Sequence, residues 1–302
     1  MIKSFDDVMK IAKERGPKII SVACAQDPEV LIAVNQAKKE GIADSILVGD
    51  KEEIKKIAIE EKIDLSQFEM IDIKDVTEAS KKAVQLVSTG KADMVMKGLV
   101  DTSIILSATL DAEVGLRTGN VLSHVAIFDV KGYDRLFLVT DAAMNISPDL
   151  KVKKQIIENA VQVAHALDIT EPKVAVICAK EKPTPKMPDT MDAVALQEMN
   201  QKGEIKGCIV GGPFGLDNAV SIEAAKIKGI HHPVAGYADI LLAPDIEAGN
   251  VLYKSLVFLA GAKNAGVIVG AKAPVILTSR ADSHEAKIYS IALGVLCTAK
   301  IF

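Results

Sequence analysis

The stretch 273–296, APVILTSRADSHEAKIYSIALGVL, decides the fold class. Its apolar run Val275–Leu277 has strand composition, and after a polar junction Ile288, Ile291, Ala292, Val295 and Leu296 recur at helical spacing. A strand passing so quickly into a helix is the unit from which parallel α/β sheets are built. The same alternation runs outward through the chain. Lys18–Ala23, Ser45–Val48, Met94–Met96, Val125–Phe128, Leu136–Val139, Val174–Cys178, Cys208–Val210, Ile240–Leu242 and Gly266–Val269 read as further strands. Pro28–Glu40, Thr77–Thr89, Leu150–Leu167, Asp189–Lys202 and Ile246–Ala262 read as helices. Three prolines within KEKPTPKMPDT (Lys180–Thr190) remove donors and fix φ, so this segment is a loop ahead of a helix starting near Asp189.

A chain of 302 residues exceeds what one ordinary core organises, which favours two α/β lobes. The expected division is residues 1–133 plus 279–302 for the first lobe and 134–278 for the second. Hydrophobic residues are 49% and charged residues 25%, a globular balance, and the net charge of −4 argues against a broad basic face for nucleic acid. With no Trp, 7 Phe and 4 Tyr, the chain also lacks the aromatic platforms on which single strands stack. Cys24, Cys178, Cys208 and Cys297 lie far apart in apolar runs and read as buried thiols in a reducing compartment. Asp6 and Asp7 interrupt any apolar leader, and no apolar run approaches the roughly 20 residues of a membrane helix. The expected location is the cytoplasm.

Ligands of open α/β sheets bind beyond the C-terminal strand ends, so the segments after the strands hold the candidates. In LTSRADSHEAK, Arg280 stands at a strand-to-helix junction, where free N–H groups and the helix dipole attract anions and a guanidinium can grip a phosphate or oxyanion. Ser279 with Asp282, or Asp282 with Glu285, also fits a helix capping box. In APDIEAGNVLYK, Asp245 follows a strand, and Asn250 and Lys254 share a helix face that could hold phosphate oxygens; capping and solvation are the plainer alternatives. In GGPFGLDNAVS, glycines such as Gly212 allow close backbone approach to a ligand and Asp217 precedes a helix. Lys97 directly follows a strand, a position that suits either escape to water or phosphate capture. Arg117 and Arg135 flank the strand HVAIFDV and could pair with the diphosphate of a nucleotide-like carrier, although solvation serves each as well. Neither GxGxxG nor GxxxxGK[ST] occurs, and no metal-ligand spacing is visible, so neither a metal nor a resident cofactor is expected.

Together, MKGLVDTS, LSHVAIFD, VTDAAMNISPDLKVKKQIIENAV, GPFGLDNAVS, ADILLAPDIEAGNVLYKSL and SRADSHEAK resemble the phosphate acetyl/butyryltransferase family, and its butyryl branch most. The match runs from about Ala92 to Ile291. The resemblance implies an isocitrate/isopropylmalate dehydrogenase-like architecture, two α/β lobes around a cleft, and a homo-oligomer. It implies reversible transfer of a short acyl group between coenzyme A, a substrate, and inorganic phosphate. In the acetyl-transferring branch, a serine and arginine matching Ser279 and Arg280 stabilise the reacting acyl group, and an aspartate acts as base. That aspartate aligns with Ala286 here, so Glu285 is the expected substitute, with Asp282 close by. The acetyl branch is the alternative within the family. A metal- and nicotinamide-dependent hydroxyacid dehydrogenase of the same fold is an alternative of another class, for which Asp141, Asp239 and Asp245 are the visible carboxylates. A non-catalytic coenzyme A-binding regulator is a third.

Overall fold

The computed structural model describes residues 2–278 and 282–298. In chain order the elements are α1 (Phe5–Arg15), β1 (Lys18–Ala23), α2 (Pro28–Lys39), β2 (Ala43–Gly49), α3 (Lys51–Glu60), β3 (Glu69–Asp72), α4 (Val76–Ser88), β4 (Met94–Lys97) and α5 (Thr102–Thr109). Then come β5 (Ser123–Asp129), β6 (Phe137–Thr140), α6 (Leu150–Ala166), β7 (Lys173–Ile177), α7 (Pro188–Gln201), β8 (Ile209–Phe214), α8 (Leu216–Val220), α9 (Ile222–Ile227), β9 (Ile240–Leu242) and α10 (Ile246–Lys254). The chain ends with β10 (Lys263–Val269), β11 (Val275–Ile276) and α11 (His284–Thr298).

Contacts divide the chain into two compact units, Phe5–Asn120 with Ala265–Phe302, and Met1–Ser4 with Val121–Asn264. The crossings fall after Asn120 and Asn264, earlier than the residues 134 and 279 that the sequence suggests. Strand pairing accounts for both shifts. β5 pairs antiparallel with β6 and belongs with it, whereas β11 pairs in parallel with β4 and carries the chain back before residue 279.

In the first unit the strands lie in the order β3-β2-β1-β4-β11-β10, parallel except for β10 against β11. Aspartates start its helices: Asp27, Asp50 and Asp75 adopt extended backbone and accept hydrogen bonds from the first-turn N–H groups of α2, α3 and α4. α11 lies against β11 and also contacts α1 and α2, so Ala286 through Thr298 are all buried. A helix that is apolar on every side is a core element, and each of its Ile and Leu side chains contributes about 1.5–3 kcal/mol by leaving water.

In the second unit the order is β5-β6-β9-β7-β8, with only β5 antiparallel among the described pairs. Its core joins Phe128, Phe137, Val139, Phe214, Leu241 and Tyr253. α10 continues into a π-helical turn, Ser255–Leu259, which ends the helical stretch before the Ala262 that the periodicity suggests. Among the described residues no helix is long and apolar enough to cross a membrane.

Candidate active site

Several candidates of the first unit stand near the C-terminal ends of β1, β4 and β11. Lys97, the last residue of β4, is 6% exposed and pairs in register with Ala23 of β1. The chain then folds back tightly, Gly98 N donating to Ala23 O (2.8 Å) and Leu99 N to Cys24 O (2.8 Å). Only glycine fits there, because a Cβ on Gly98 would stand 2.2 Å from Cys24 O. On the other side of β4, Ile276 pairs with Met96, so the continuation of β11 passes beside Lys97 and leads to the buried Thr278. Ser279 and Arg280 follow directly in sequence and lie outside the described residues.

Beyond them, Asp282 is 7% exposed and Lys287 is 2% exposed. Lys287 Nζ donates to the main-chain oxygen of Asp282 (2.7 Å), and Ser283 Oγ accepts from Ala286 N (3.2 Å) at the start of α11. His284 Nδ1 stands 3.4 Å from Glu29 Oε2. Glu29 lies in the first turn of α2, which follows β1 closely, so α11 also starts at the C-terminal strand ends.

Glu285 points elsewhere. It is exposed, accepts a hydrogen bond from Tyr289 Oη (2.8 Å), and lines a groove with Asp6, Gln36 and Glu40. Tyr289 stacks on Phe5 of α1 with ring centroids 4.3 Å apart. Glu285 and Lys287 are two residues apart and so face nearly opposite sides of the helix. The buried Asp282 is therefore the carboxylate nearer the strand ends.

Cys24 directly follows β1, with φ of 55° and Sγ 3.7 Å from Val76 O. Burial raises its thiol pKa, against the opposite pull of Ser80 and Lys97. Such a thiol is a poor nucleophile. Arg117, also in this unit, is exposed and donates from Nε to Leu110 O.

The other sequence candidates fall in the second unit. Asp245 caps α10, accepting from Ala248 N (2.8 Å). Asn250 is exposed and donates to Ala142 O (3.2 Å), while Lys254 Nζ stands 5.4 Å and 5.6 Å from the ring centres of Tyr253 and Phe258. Gly212 lies inside β8, where a Cβ would meet Val176 Cβ at 2.9 Å, so its close approach is to the protein's own strand. Asp217 is exposed in the first turn of α8 and pairs with Lys228 (2.9 Å), whose hydrogen bond lowers the carboxyl pKa. Arg135 precedes β6, at the strand end away from Asp141, and stacks over Tyr133 and Tyr237.

The carboxylates that a metal-dependent dehydrogenase would need do not converge. Asp239 precedes β9 while Asp245 follows it, and both oxygens of Asp141 are occupied by Ala143 N, Met144 N and the N–H groups of Asn145. Among the described residues no group of three or more His, Cys, Asp or Glu could hold a metal ion.

Sequence reading had no place for Lys287. A signal for it exists, since Lys287 stands four residues before Ile291 and so puts a charge on the apolar stripe of α11.

Comparison with known proteins places this arrangement in a family. A family model described as phosphate acetyl/butaryl transferase matches residues 4–81 and 74–295. The phosphate butyryltransferase of Clostridium acetobutylicum is 55% identical over 296 residues, 98% of each chain. The phosphate acetyltransferase of Thermotoga maritima is 47% identical, over 96% of this chain and 98% of its own. The crystal structure of a branched-chain phosphotransacylase from Enterococcus faecalis V583 superposes with a TM-score of 0.83 at 35% identity, covering 94% of this chain and 99% of that one. Family model and near full-length identity thus agree, and the chain belongs to the phosphate acetyl/butaryl transferase family.

Proposed function

We propose that this chain is a phosphate butyryltransferase, moving a short acyl group reversibly between coenzyme A and inorganic phosphate. The observation that carries this reading is the 55% identity, over 98% of both chains, to a protein of that name. It works in the cytoplasm as a homo-oligomer of isocitrate/isopropylmalate dehydrogenase-like architecture, with a cleft between two lobes and coenzyme A as substrate rather than resident cofactor.

A phosphate oxygen attacks the thioester carbonyl, the tetrahedral oxyanion collapses, and the C–S bond breaks to release the thiolate of coenzyme A. A thiolate leaves readily, so direct attack within a ternary complex needs no covalent enzyme intermediate. Arg280 and the N–H groups of its junction stabilise the oxyanion, with the Ser279 hydroxyl beside them. In the reverse direction Asp282 takes the thiol proton. Its burial supports this role over Glu285, whose carboxylate is engaged by Tyr289. Arg117 offers its exposed guanidinium to the diphosphate of coenzyme A.

The test is thiol release from butyryl-CoA with and without inorganic phosphate, with acyl phosphate trapped as its hydroxamate. Prompt, phosphate-dependent release in equal amount to acyl phosphate supports the transferase. Release that ignores phosphate refutes it. The 47% identity to a phosphate acetyltransferase favours overlap in acyl specificity. A methylene supplies only about 1–3 kcal/mol of discrimination. We expect acyl chains of about three to five carbons to outrun acetyl-CoA in kcat/KM; a maximum at acetyl would move the chain to the acetyl branch.

A further inference from the structure

The second unit leaves one helical face uncovered, and this inference, which rests on the homo-oligomer of the proposed function, concerns what covers it. Along α10 and its π-helical turn Val251 is 66% exposed, Phe258 62% and Leu259 85%. Ile146, 70% exposed, stands beside the start of that helix, since Ile246 N donates to Ile146 O (3.0 Å). Large apolar side chains gathered in water along one segment are costly, and such patches mark interaction surfaces.

The exposure follows from helical spacing. Tyr253 is buried, and Leu252, Leu256 and Val257 pack against the core of the second unit. At 3.6 residues per turn, Glu247, Val251 and Lys254 fall together on the other side of the helix. The wider π-helical turn then brings both Phe258 and Leu259 to that side, where an ordinary α-helical turn would carry Leu259 further round. Lys254 Nζ, 5.6 Å from the centre of the Phe258 ring, lies along the same face. The outer side thus carries one acid in the first turn of α10 and one base in its last, with apolar side chains between and beyond them.

We propose that this face of α10 is the contact with a second copy of the chain, the two helices running antiparallel across a two-fold axis that passes near Val251. Charge selects that occupant. An anionic membrane surface or a nucleic acid calls for a basic face, whereas one acid and one base cancel. A two-fold axis makes the same two charges complementary, because Glu247 of each copy meets Lys254 of the other and the helix dipoles oppose. The same operation lays Phe258 and Leu259 of each copy over the helix start of the other, where Ile146 is exposed. Ile146, Val251, Phe258 and Leu259 of both copies then leave water at the centre of the contact, and the two ion pairs fix its register.

The experiment is sedimentation velocity of the full chain over a dilution series, on wild type, the double variant Phe258→Asp with Leu259→Asp, the single reversals Glu247→Lys and Lys254→Glu, and the exchange that combines the two reversals. Phe258 and Leu259 face water in the single chain, so the double variant should keep the circular dichroism of wild type. Wild type is expected to sediment as a dimer or a multiple of one, and the two aspartates to bring that mass to about half or less. Each single reversal should lower the affinity between copies on the order of tenfold, and the exchange should restore it to within about threefold. An oligomer untouched by the two aspartates overturns this contact and leaves the homo-oligomer standing. Single reversals without effect, or an exchange that restores nothing, overturn the antiparallel pairing. A monomeric wild type overturns both the contact and the homo-oligomer, and flotation of that monomer with phosphatidylglycerol vesicles would give the face to a membrane instead.

Discussion

At the scale of single residues, the proposed mechanism makes Arg280 the first position to test. Arg280→Ala is expected to lower kcat on the order of 10²–10³, as loss of an oxyanion donor does, with Arg280→Lys restoring only part because an ammonium cannot reproduce a planar fork. Steady-state kinetics decide it: a raised KM for butyryl-CoA with kcat intact would make Arg280 an anchor for coenzyme A instead. Gly249 offers a test of packing alone. A Cβ there would stand 2.3 Å from Asp141 O, a backbone atom that cannot yield cheaply, so Gly249→Ala should destabilise by about 1–3 kcal/mol in urea unfolding. Residues whose position depends on where a strand ends were legible from sequence, as Lys97, the last residue of β4, shows. Residues whose role depends on which side of a helix is covered were not. Glu285 and Asp282 read alike in SRADSHEAK, and only the stacking of Tyr289 on Phe5 shows that Glu285 turns toward α1. Gly212 looked like ligand space because a glycine in a chain does not reveal whether its neighbour is a substrate or a valine.

At the scale of elements, apolar runs located their strands within a few residues because a parallel strand buried on both faces must be apolar throughout. The edge strand β3, EMID, escaped notice because its side chains are half-buried or exposed and leave no such run. α11 was half legible. Its stripe was visible, but Leu293 and Cys297 on the remaining faces become buried only because α1 and α2 cover them. The junction of α6 and α7 shows how elements are pinned. Lys153, buried on α6, bonds Asp189 (2.6 Å) and Asp192 (2.7 Å) in the first turns of α7. Burial pulls the lysine pKa down, and the two carboxylates more than reverse this, leaving it raised. Lys153→Met should cost about 2 kcal/mol, less than a fully buried pair because the aspartates keep some contact with water. A raised lysine pKa means that the contribution persists below the ordinary pKa and fades only as pH rises through the folded value. The stability gap between wild type and Lys153→Met should therefore hold constant from pH 7 to pH 9, and a gap that closes across that range would contradict the pairing.

At the scale of the whole molecule, all four cysteines are buried and unpaired. Burial pushes Cys178 and Cys208 to about 11 and Cys297 to about 12, and raises Cys24 as well. A disulfide reagent at pH 8 should therefore titrate essentially none of them within minutes in the folded chain and all four after denaturation; a rapidly labelled thiol in the native state would contradict this burial. The first unit is assembled from two separate stretches, Phe5–Asn120 and Ala265–Phe302, with the second unit drawn from the stretch between. This gives synthesis a clock. When Asn120 leaves the ribosome, β4 lacks the neighbour that β11 will become, and α1 and α2 lack the helix that covers them. At ordinary elongation rates the missing pieces arrive roughly ten to forty seconds later. The contiguous middle stretch can close first, while the N-terminal portion waits with apolar surface open to chaperones. β4 and α2 gain the cover of β11 and α11 only after the second unit has been made, so the first unit completes its core after the second, and a chain cut short at Asn264 leaves that core open.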